Sequence, residues 1–284
     1  MSASTPALLR RERVRAQATY LVLTVVAVAL LLPIVWLLVT SLKRPTEYIA
    51  YPIQFLPQVP QWSNYIDAVT RIPFARYTAQ TFFLAFAFST LTVLTSSMAG
   101  FAFARIAAWG RAALFSVVVL LLMVPQIITM IPQFVVFARL GLTNTYWPWI
   151  LWGLAASPFH IFLFRQFFSS FPRDLEDAAE VDGCGAFRIF AQIFLPNALP
   201  AIATSFIFCF VWVWGDWLTP LIYLSDANTT LGVKISGGYV DPQGNAIITT
   251  TLAACVLYAL PLVALFFLGQ KYIVKGVVTS GLKG

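Results

Sequence analysis

Six long stretches without a single charged residue constrain the fold of this 284-residue chain more than any other feature. Each stretch is 25 to 29 residues long, and about 20 apolar residues are enough to cross the hydrocarbon core of a bilayer. Only 10% of the residues are charged, whereas soluble domains carry about a quarter. The predicted membrane spans are 17–41, 78–104, 112–137, 146–168, 198–222 and 248–270.

The lipid environment limits the secondary structure that these spans can adopt. In lipid, a spanning segment must satisfy its own backbone hydrogen bonds, which leaves helices or a closed barrel. The chain lacks the alternating apolar pattern of barrel strands, so we predict an all-α polytopic membrane protein with six transmembrane helices and one domain over 1–284. With both termini placed in the cytoplasm, twelve of the 18 Lys and Arg residues fall on the cytoplasmic side, as the positive-inside rule expects. The net charge of +7 therefore orients the chain among membrane lipids, and we expect no nucleic-acid partner.

The residues of the chain give little support for catalysis. The three cysteines show neither a disulfide framework nor metal-ligand spacing. No paired acids or nucleophile constellation is visible, and the phosphate-binding pattern G-x-x-x-x-G-K-[S/T] is absent. We therefore predict a protein that is not an enzyme and that binds no metal and no cofactor itself.

The segment 172–196 is unlike the rest of the chain. Five of the eleven acidic residues lie within nine residues, 174–182. Pro172 suits the first turn of a helix, Gly183 can end that helix, and an aromatic run closed by Pro196 predicts a second short helix. Two interpretations remain open: a knob that docks into a partner, or an amphipathic connector on the headgroups. Anionic lipid disfavours such acid density, which favours docking.

This segment resembles the cytoplasmic loop of ABC-importer permeases, which reads E-A-A, three residues, Gly, nine residues, I-x-L-P. Here the matching residues are Asp177, Ala178, Ala179, Gly183 and Ile193–Pro196, with Asp177 and Cys184 in place of the usual Glu and Ala. Three further segments are similar to the carbohydrate (maltose-type) branch of that family: Ile131–Trp147, Trp212–Val233 and Gly269–Gly284.

The resemblance implies an ABC type I importer permease fold in a bacterial or archaeal cytoplasmic membrane. It implies uptake of a sugar or oligosaccharide by alternating access, driven by two partner ATPase subunits that bind ATP and Mg. A second permease subunit, forming a heterodimer, and an extracytoplasmic substrate-binding protein complete the implied assembly. The residues implied to couple the permease to the ATPase are Asp177, Ala178, Ala179, Asp182, Gly183, Ile193, Leu195 and Pro196. By analogy, the tail residues Gly281, Lys283 and Gly284 contact the ATPase, although a frayed basic terminus explains them equally well.

Polar and aromatic residues in the spans are candidates for the substrate path or its gate: Gln126, Gln133, Trp212, Trp214, Asp216 and Trp217. A carboxylate within a span costs about 2.5–3.5 kcal/mol on insertion scales, so such acids usually face a cavity or a partner. Asp216 can contact a sugar hydroxyl, but a structural or gating role is favoured. The glutamines can equally join neighbouring helices. An ion-coupled secondary transporter of a small polar solute is the competing function, and beyond Asp216 and His160 the spans offer almost no ion ligands.

Overall fold

The computed structural model describes residues 6–281, and the regular structure within them is helical apart from one isolated β-bridge between Val240 and Ala246. These residues form fifteen α-helices and one π-helical turn, π1. In chain order the elements are α1 (Pro6–Ser41), α2 (Pro45–Tyr48), α3 (Ser63–Thr70), α4 (Phe74–Arg105), α5 (Arg111–Leu121), α6 (Gln126–Arg139), α7 (Trp147–Leu154), α8 (Pro158–Ser169), α9 (Asp174–Val181), α10 (Ala186–Ile189), π1 (Phe190–Phe194), α11 (Leu195–Asn197), α12 (Leu199–Gly215), α13 (Leu218–Tyr223), α14 (Leu231–Ser236) and α15 (Ile248–Gly281).

Four helical stretches in the described residues are long and apolar enough to cross a membrane. Two bent helix pairs raise that number to six if each pair counts as one span, which agrees with the predicted membrane class. The four single stretches are Arg15–Ser41, Phe74–Arg105, Trp147–Ser169 and Ile248–Tyr272. The bent pairs are Arg111–Leu121 with Gln126–Arg139, at 99°, and Ala186–Asn197 with Leu199–Gly215, at 80°. The first arm of the second pair lies largely in the segment 172–196, so only its second arm falls in the predicted fifth span, 198–222. The placement of both termini in the cytoplasm stays a prediction.

Breaks in the helices are the main difference from the predicted spans. The third predicted span is two helices, α5 and α6, and Pro125 immediately precedes the second of them. A proline has no backbone N–H and favours an extended residue before it, so it starts a helix more readily than it continues one. The fourth span is interrupted before Pro158, where Ala156 has a positive φ of 60°. The fifth is interrupted at Asp216, between α12 and α13.

The described chain divides into two compact units by its contacts. One unit contains α1, α2, α3 and the first ten residues of α15, up to Leu257. The other contains α4 to α14 and continues from Tyr258. The expectation of a single domain over 1–284 remains a prediction.

Helix α4 is the central element of the larger unit and packs against α7, α8 and α12. Its contact with α8 is closest at Gly100, where a Cβ atom would lie 2.5 Å from Cβ of Phe164. No side chain fits into that distance, so a glycine is required for the backbones to approach this closely. The crossing of α4 and α8 lies beside the aromatic cluster that supports the segment 172–196.

Candidate functional site

The segment 172–196 folds as two helical parts joined at a glycine. Helix α9 ends in a Schellman motif, in which the N–H of Cys184 donates to the carbonyl of Ala179 at 2.9 Å and that of Gly183 to Glu180 at 2.9 Å. Gly183 has a φ of 75°, in the left-handed region. The second part, Ala186–Asn197, is continuous through α10, π1 and α11. Gly183 ends the first helix, as its position in the sequence predicts, whereas the second helical part continues through Pro196 and ends at Asn197.

The inner face of this segment is buried in an aromatic cluster. Ala179, Phe190 and Phe194 belong to one core with side chains of α4 and α8. The ring of Phe194 lies 5.0 Å from that of Phe101 on α4 and 5.6 Å from that of Phe168 on α8. Both separations fall in the range in which aromatic pairs attract each other. The segment is therefore held by its own aromatic residues against two helices of the larger unit.

Arg105, the last residue of α4, joins the same three elements by polar contacts. Its Nη2 donates to the carbonyl oxygens of Phe168 and Phe171, each at 2.6 Å, where α8 ends. Its Nη1 donates to Oε2 of Glu176 on α9 at 3.3 Å. The guanidinium carbon also lies 5.1 Å from the ring centroid of Phe194. One side chain therefore links the C-terminal ends of α4 and α8 to the acidic helix.

The environment of Glu176 is partly desolvated, since its side chain is 17% exposed and that of Arg105 is 7% exposed. Burial raises the pKa of Glu176 above its usual value, and the positive charge of Arg105 opposes that rise. Sequence reasoning missed this ion pair and used Arg105 only to orient the chain. A basic residue in the last turn of a helix was the available signal, because cations are favoured there.

The outer face of the segment is exposed and mixed in character. Val181 is 88% exposed and Phe187 is 71% exposed. Among the predicted coupling residues, Asp177, Ala178, Asp182, Gly183 and Pro196 are exposed, Ile193 and Leu195 are half-buried, and Ala179 is buried. Ala179 therefore faces the aromatic cluster, whereas Ala178 is left on the exposed side of α9. The exposed surface is an apolar tip bordered by carboxylates, which suits insertion into a groove of a partner.

Asp216 acts as a helix cap in this structure. Its Oδ1 accepts a hydrogen bond from the backbone N–H of Thr219 at 3.0 Å, in the first turn of α13. An aspartate at this position satisfies a backbone donor that the helix itself leaves unpaired. Capping of α13 therefore explains why an acidic side chain is present at the break between α12 and α13.

The other candidates for the substrate path divide by burial. Trp214 is 1% exposed, and its Nε1 donates to the carbonyl of Tyr258 at 3.1 Å, so it packs inside the unit. Trp212 and Trp217 are exposed, at 63% and 48%. Gln126 is exposed at the start of α6, and Gln133 is half-buried seven residues later. The contacts of the described residues do not assemble these six side chains into one site.

Two further predictions have simple outcomes. His160 is buried, and its Nε2 lies 3.3 Å from Sγ of Cys209, so it is a packed residue between α8 and α12. Of the tail residues, Gly281 is the last residue of α15, whereas Lys283 and Gly284 lie outside the described residues.

Within residues 6–281, no group of three or more His, Cys, Asp or Glu side chains is placed to hold a metal ion.

Comparisons with known proteins agree on one family. The profile of the family described as binding-protein-dependent transport system inner membrane component matches residues 92–279. A sulfoquinovosyl glycerol transport system permease of Agrobacterium fabrum is 31% identical, over 89% of each chain. A lactose transport system permease of Rhizobium radiobacter is also 31% identical, over 95% of this chain and 97% of its own. A solved bacterial ABC transporter for import of the acidic polysaccharide alginate matches the fold with a TM-score of 0.80 at 21% identity, covering 96% of this chain and 100% of that one.

Proposed function

The chain belongs to the family of binding-protein-dependent transport system inner membrane components, and from this we propose that it carries a sugar or oligosaccharide through an ABC importer. As a member of that family it is a multi-pass protein of the cell membrane. It is the permease, which forms the path for the substrate, while the ATPase of such a transporter is a separate subunit. An ion-coupled secondary transporter is not favoured by this membership.

The observation that carries the coupling part of this proposal is the structure of the segment 172–196. Its outer face presents an exposed apolar tip at Val181 and Phe187, bordered by carboxylates. Its inner face is fixed through Phe194 and Arg105 to the ends of α4 and α8. A force applied to the tip by a closing ATPase would therefore pass into two membrane helices. No bond chemistry is required of this chain for that step.

The substrate class rests on the relatives and on the charge pattern. The two relatives named above are described as permeases of a sulfoquinovosyl glycerol and a lactose transport system. A phosphate-bearing substrate would favour an Arg or Lys in the translocation path, and no such residue lies in the middle of a predicted span. We therefore propose a neutral sugar or oligosaccharide.

The proposed assembly contains a second permease, two ATPase subunits that bind ATP and Mg, and an extracytoplasmic binding protein. In the alternating-access cycle, the loaded binding protein docks outside and closure of the ATPases opens the path outward. Hydrolysis then returns the path to the inward-open state. Asp177, Asp182 and Gly183 would lie at the contact with the ATPase, and their exposure supports this role.

The experiment that tests this proposal is gentle extraction of the tagged chain from its native membrane, followed by mass spectrometry of what copurifies. We expect a second permease and an ATPase with a nucleotide-binding motif. A binding protein from the same set is then screened against neutral sugars by calorimetry. Recovery of the chain alone or as a homodimer in several mild detergents would contradict the proposed assembly. Binding of phosphorylated ligands only would contradict the substrate class.

A second experiment tests the coupling contact. Glu176→Gln removes the charge that faces Arg105, and Glu180→Gln removes an exposed charge one turn later on the same helix. In proteoliposomes, we expect the first variant to lower sugar transported per ATP hydrolysed and the second to leave that ratio unchanged. If both variants transport the same amount of sugar per ATP hydrolysed, the ion pair between Glu176 and Arg105 is not needed for coupling.

A further inference from the structure

The loop after α1 returns to the end of the helix from which it starts. The backbone N–H of Gln61 donates to the carbonyl of Leu42 at 2.8 Å. Nδ2 of Asn64 donates to the carbonyls of Ser41 and Lys43, at 2.8 and 2.9 Å. Since both ends of the loop are fixed at one place, residues 43–61 form a closed Ω-type excursion beside the C-terminal end of α1.

The outer surface of residues 48–62 of this loop is apolar and uncharged. From Tyr48 to Ile66 the sequence contains no charged residue. A contiguous run of large apolar side chains in a short segment is unusual on a water-facing surface and indicates a contact that the isolated chain leaves open. The exposed side chains are Tyr48 (40%), Ile49 (78%), Tyr51 (96%), Ile53 (62%), Phe55 (72%), Leu56 (71%), Val59 (51%) and Trp62 (66%).

Two charged residues in the first part of the loop, Lys43 and Glu47, are buried. Lys43 is 2% exposed, with its Nζ hydrogen-bonded to the carbonyl of Gln54 and 4.5 Å from the ring centroid of Trp36. Glu47 is 6% exposed, and its Oε2 accepts from the backbone N–H of Arg44. The fold thus withdraws these charges from the surface that carries the exposed aromatic and aliphatic side chains.

The position of the loop beside α1 indicates which surroundings its exposed side chains contact. The ring of Phe55 packs edge-on against Trp36, with centroids 6.1 Å apart. Trp36 lies five residues before Ser41, where α1 ends, which is about 7 Å along the axis at 1.5 Å per residue. The most apolar part of α1 is exposed on every side, so it offers its surface to lipid. Phe55 therefore lies level with the last two turns of a helix that is long and apolar enough to span a membrane.

We propose that residues 48–62 form an interfacial anchor whose partner is the lipid bilayer at the C-terminal end of α1. Tyr and Trp prefer this depth because their rings are apolar and their polar atoms remain hydrated. Apolar faces of interfacial segments enter the headgroup region by about 5–10 Å, which matches the position of Phe55. The anchor would hold the outer end of α1 at a fixed depth, and this role is independent of the transported substrate.

The test uses the full chain in its assembled transporter, in native membranes. The photoreactive residue para-benzoylphenylalanine replaces Phe55, and in a second variant Ile49, so that the result does not depend on the contact with Trp36. Gln243, exposed in the polar turn 241–245, carries the same probe as the control. After irradiation, mass spectrometry identifies the adducts on each protein.

We expect phospholipid adducts to dominate at both Phe55 and Ile49 and to be absent at Gln243. Crosslinks from both loop positions to another permease, or to the binding protein, would assign the patch to a protein interface and overturn the proposal. Probes that react with neither lipid nor protein would show a water-facing loop and would overturn it as well.

Discussion

Replacing Gly183 by valine tests how the turn in the segment 172–196 contributes to docking. Gly183 has a φ of 75°, and a Cβ atom built there meets nothing within 4 Å. The cost of Gly183→Val is therefore backbone strain, not a clash. A left-handed conformation costs a residue with a Cβ about 1–2 kcal/mol, which corresponds to roughly a 5- to 30-fold change in an equilibrium constant.

A second glycine, two residues later, provides the matched control. Gly185 also has open space around it, but its φ of −76° and ψ of 162° are accessible to any residue. Gly185→Val therefore adds the same side chain to the same surface without straining the backbone. A difference between the two variants isolates the conformation of the turn from the effect of added bulk.

The assay is a titration of the reconstituted permease with its purified ATPase subunit, followed by sugar uptake. Strain in the free turn is relieved when α9 and α10 change their relative orientation, and that change opposes docking in the geometry seen here. We expect the ATPase concentration for half-maximal uptake to rise roughly 5- to 30-fold in Gly183→Val. It should be unchanged in Gly185→Val.

Two results would refute this reasoning. If Gly183→Val has the same half-maximal concentration as the wild type, the left-handed turn is not needed for docking. If both variants are impaired equally, the partner surface rejects bulk at this position and the backbone conformation is irrelevant. Quantifying the permease in the membrane excludes a loss of folded protein as the cause.

Three further predictions concern polar contacts. Arg105→Gln should lower the free energy of unfolding by about 1.5–3 kcal/mol, the usual contribution of hydrogen bonds to charged groups, and should lower the melting temperature accordingly. Arg111→Gln loses one exposed hydrogen bond and should change the melting temperature little. Equal changes in melting temperature would contradict the role of Arg105 in linking α4, α8 and α9. Because burial raises the pKa of Glu176 above 4.5, the folded chain holds this proton more tightly, so stability falls as pH rises from 4.5 to the raised pKa. Glu176→Gln should flatten that part of the curve of melting temperature against pH, and an unchanged slope would contradict it. Asp216→Ala should cost about 1 kcal/mol as a lost helix cap, whereas Asp216→Asn should retain both stability and uptake; loss of uptake in the asparagine variant alone would indicate a sugar contact.

The sequence was sufficient for features that depend on local pattern. Six uncharged stretches of spanning length predict the membrane class, and the description of four single and two bent spans agrees with it. The position of Gly183 predicts the end of α9, because a left-handed residue after a helix is most often glycine. Both features are decided by residues close together in the chain.

Features that depend on packing could not be predicted in this way. Ala178 and Ala179 are equivalent in helical spacing, and only the aromatic cluster decides that the second is buried. Arg105 contacts Glu176, 71 residues later, so its role is visible only when α4, α8 and α9 are placed together. Pro125 marks the break between α5 and α6, but the angle of 99° between the two helices is not specified by that residue.

The glycine at the crossing of α4 and α8 has a mechanical consequence. Because the backbones meet at Gly100 with no room for a Cβ atom, any larger residue at this position would force the two helices apart. They also share Arg105 at their C-terminal ends. A displacement of the segment 172–196 would therefore act on both helices together, because they are joined at their crossing and again at Arg105.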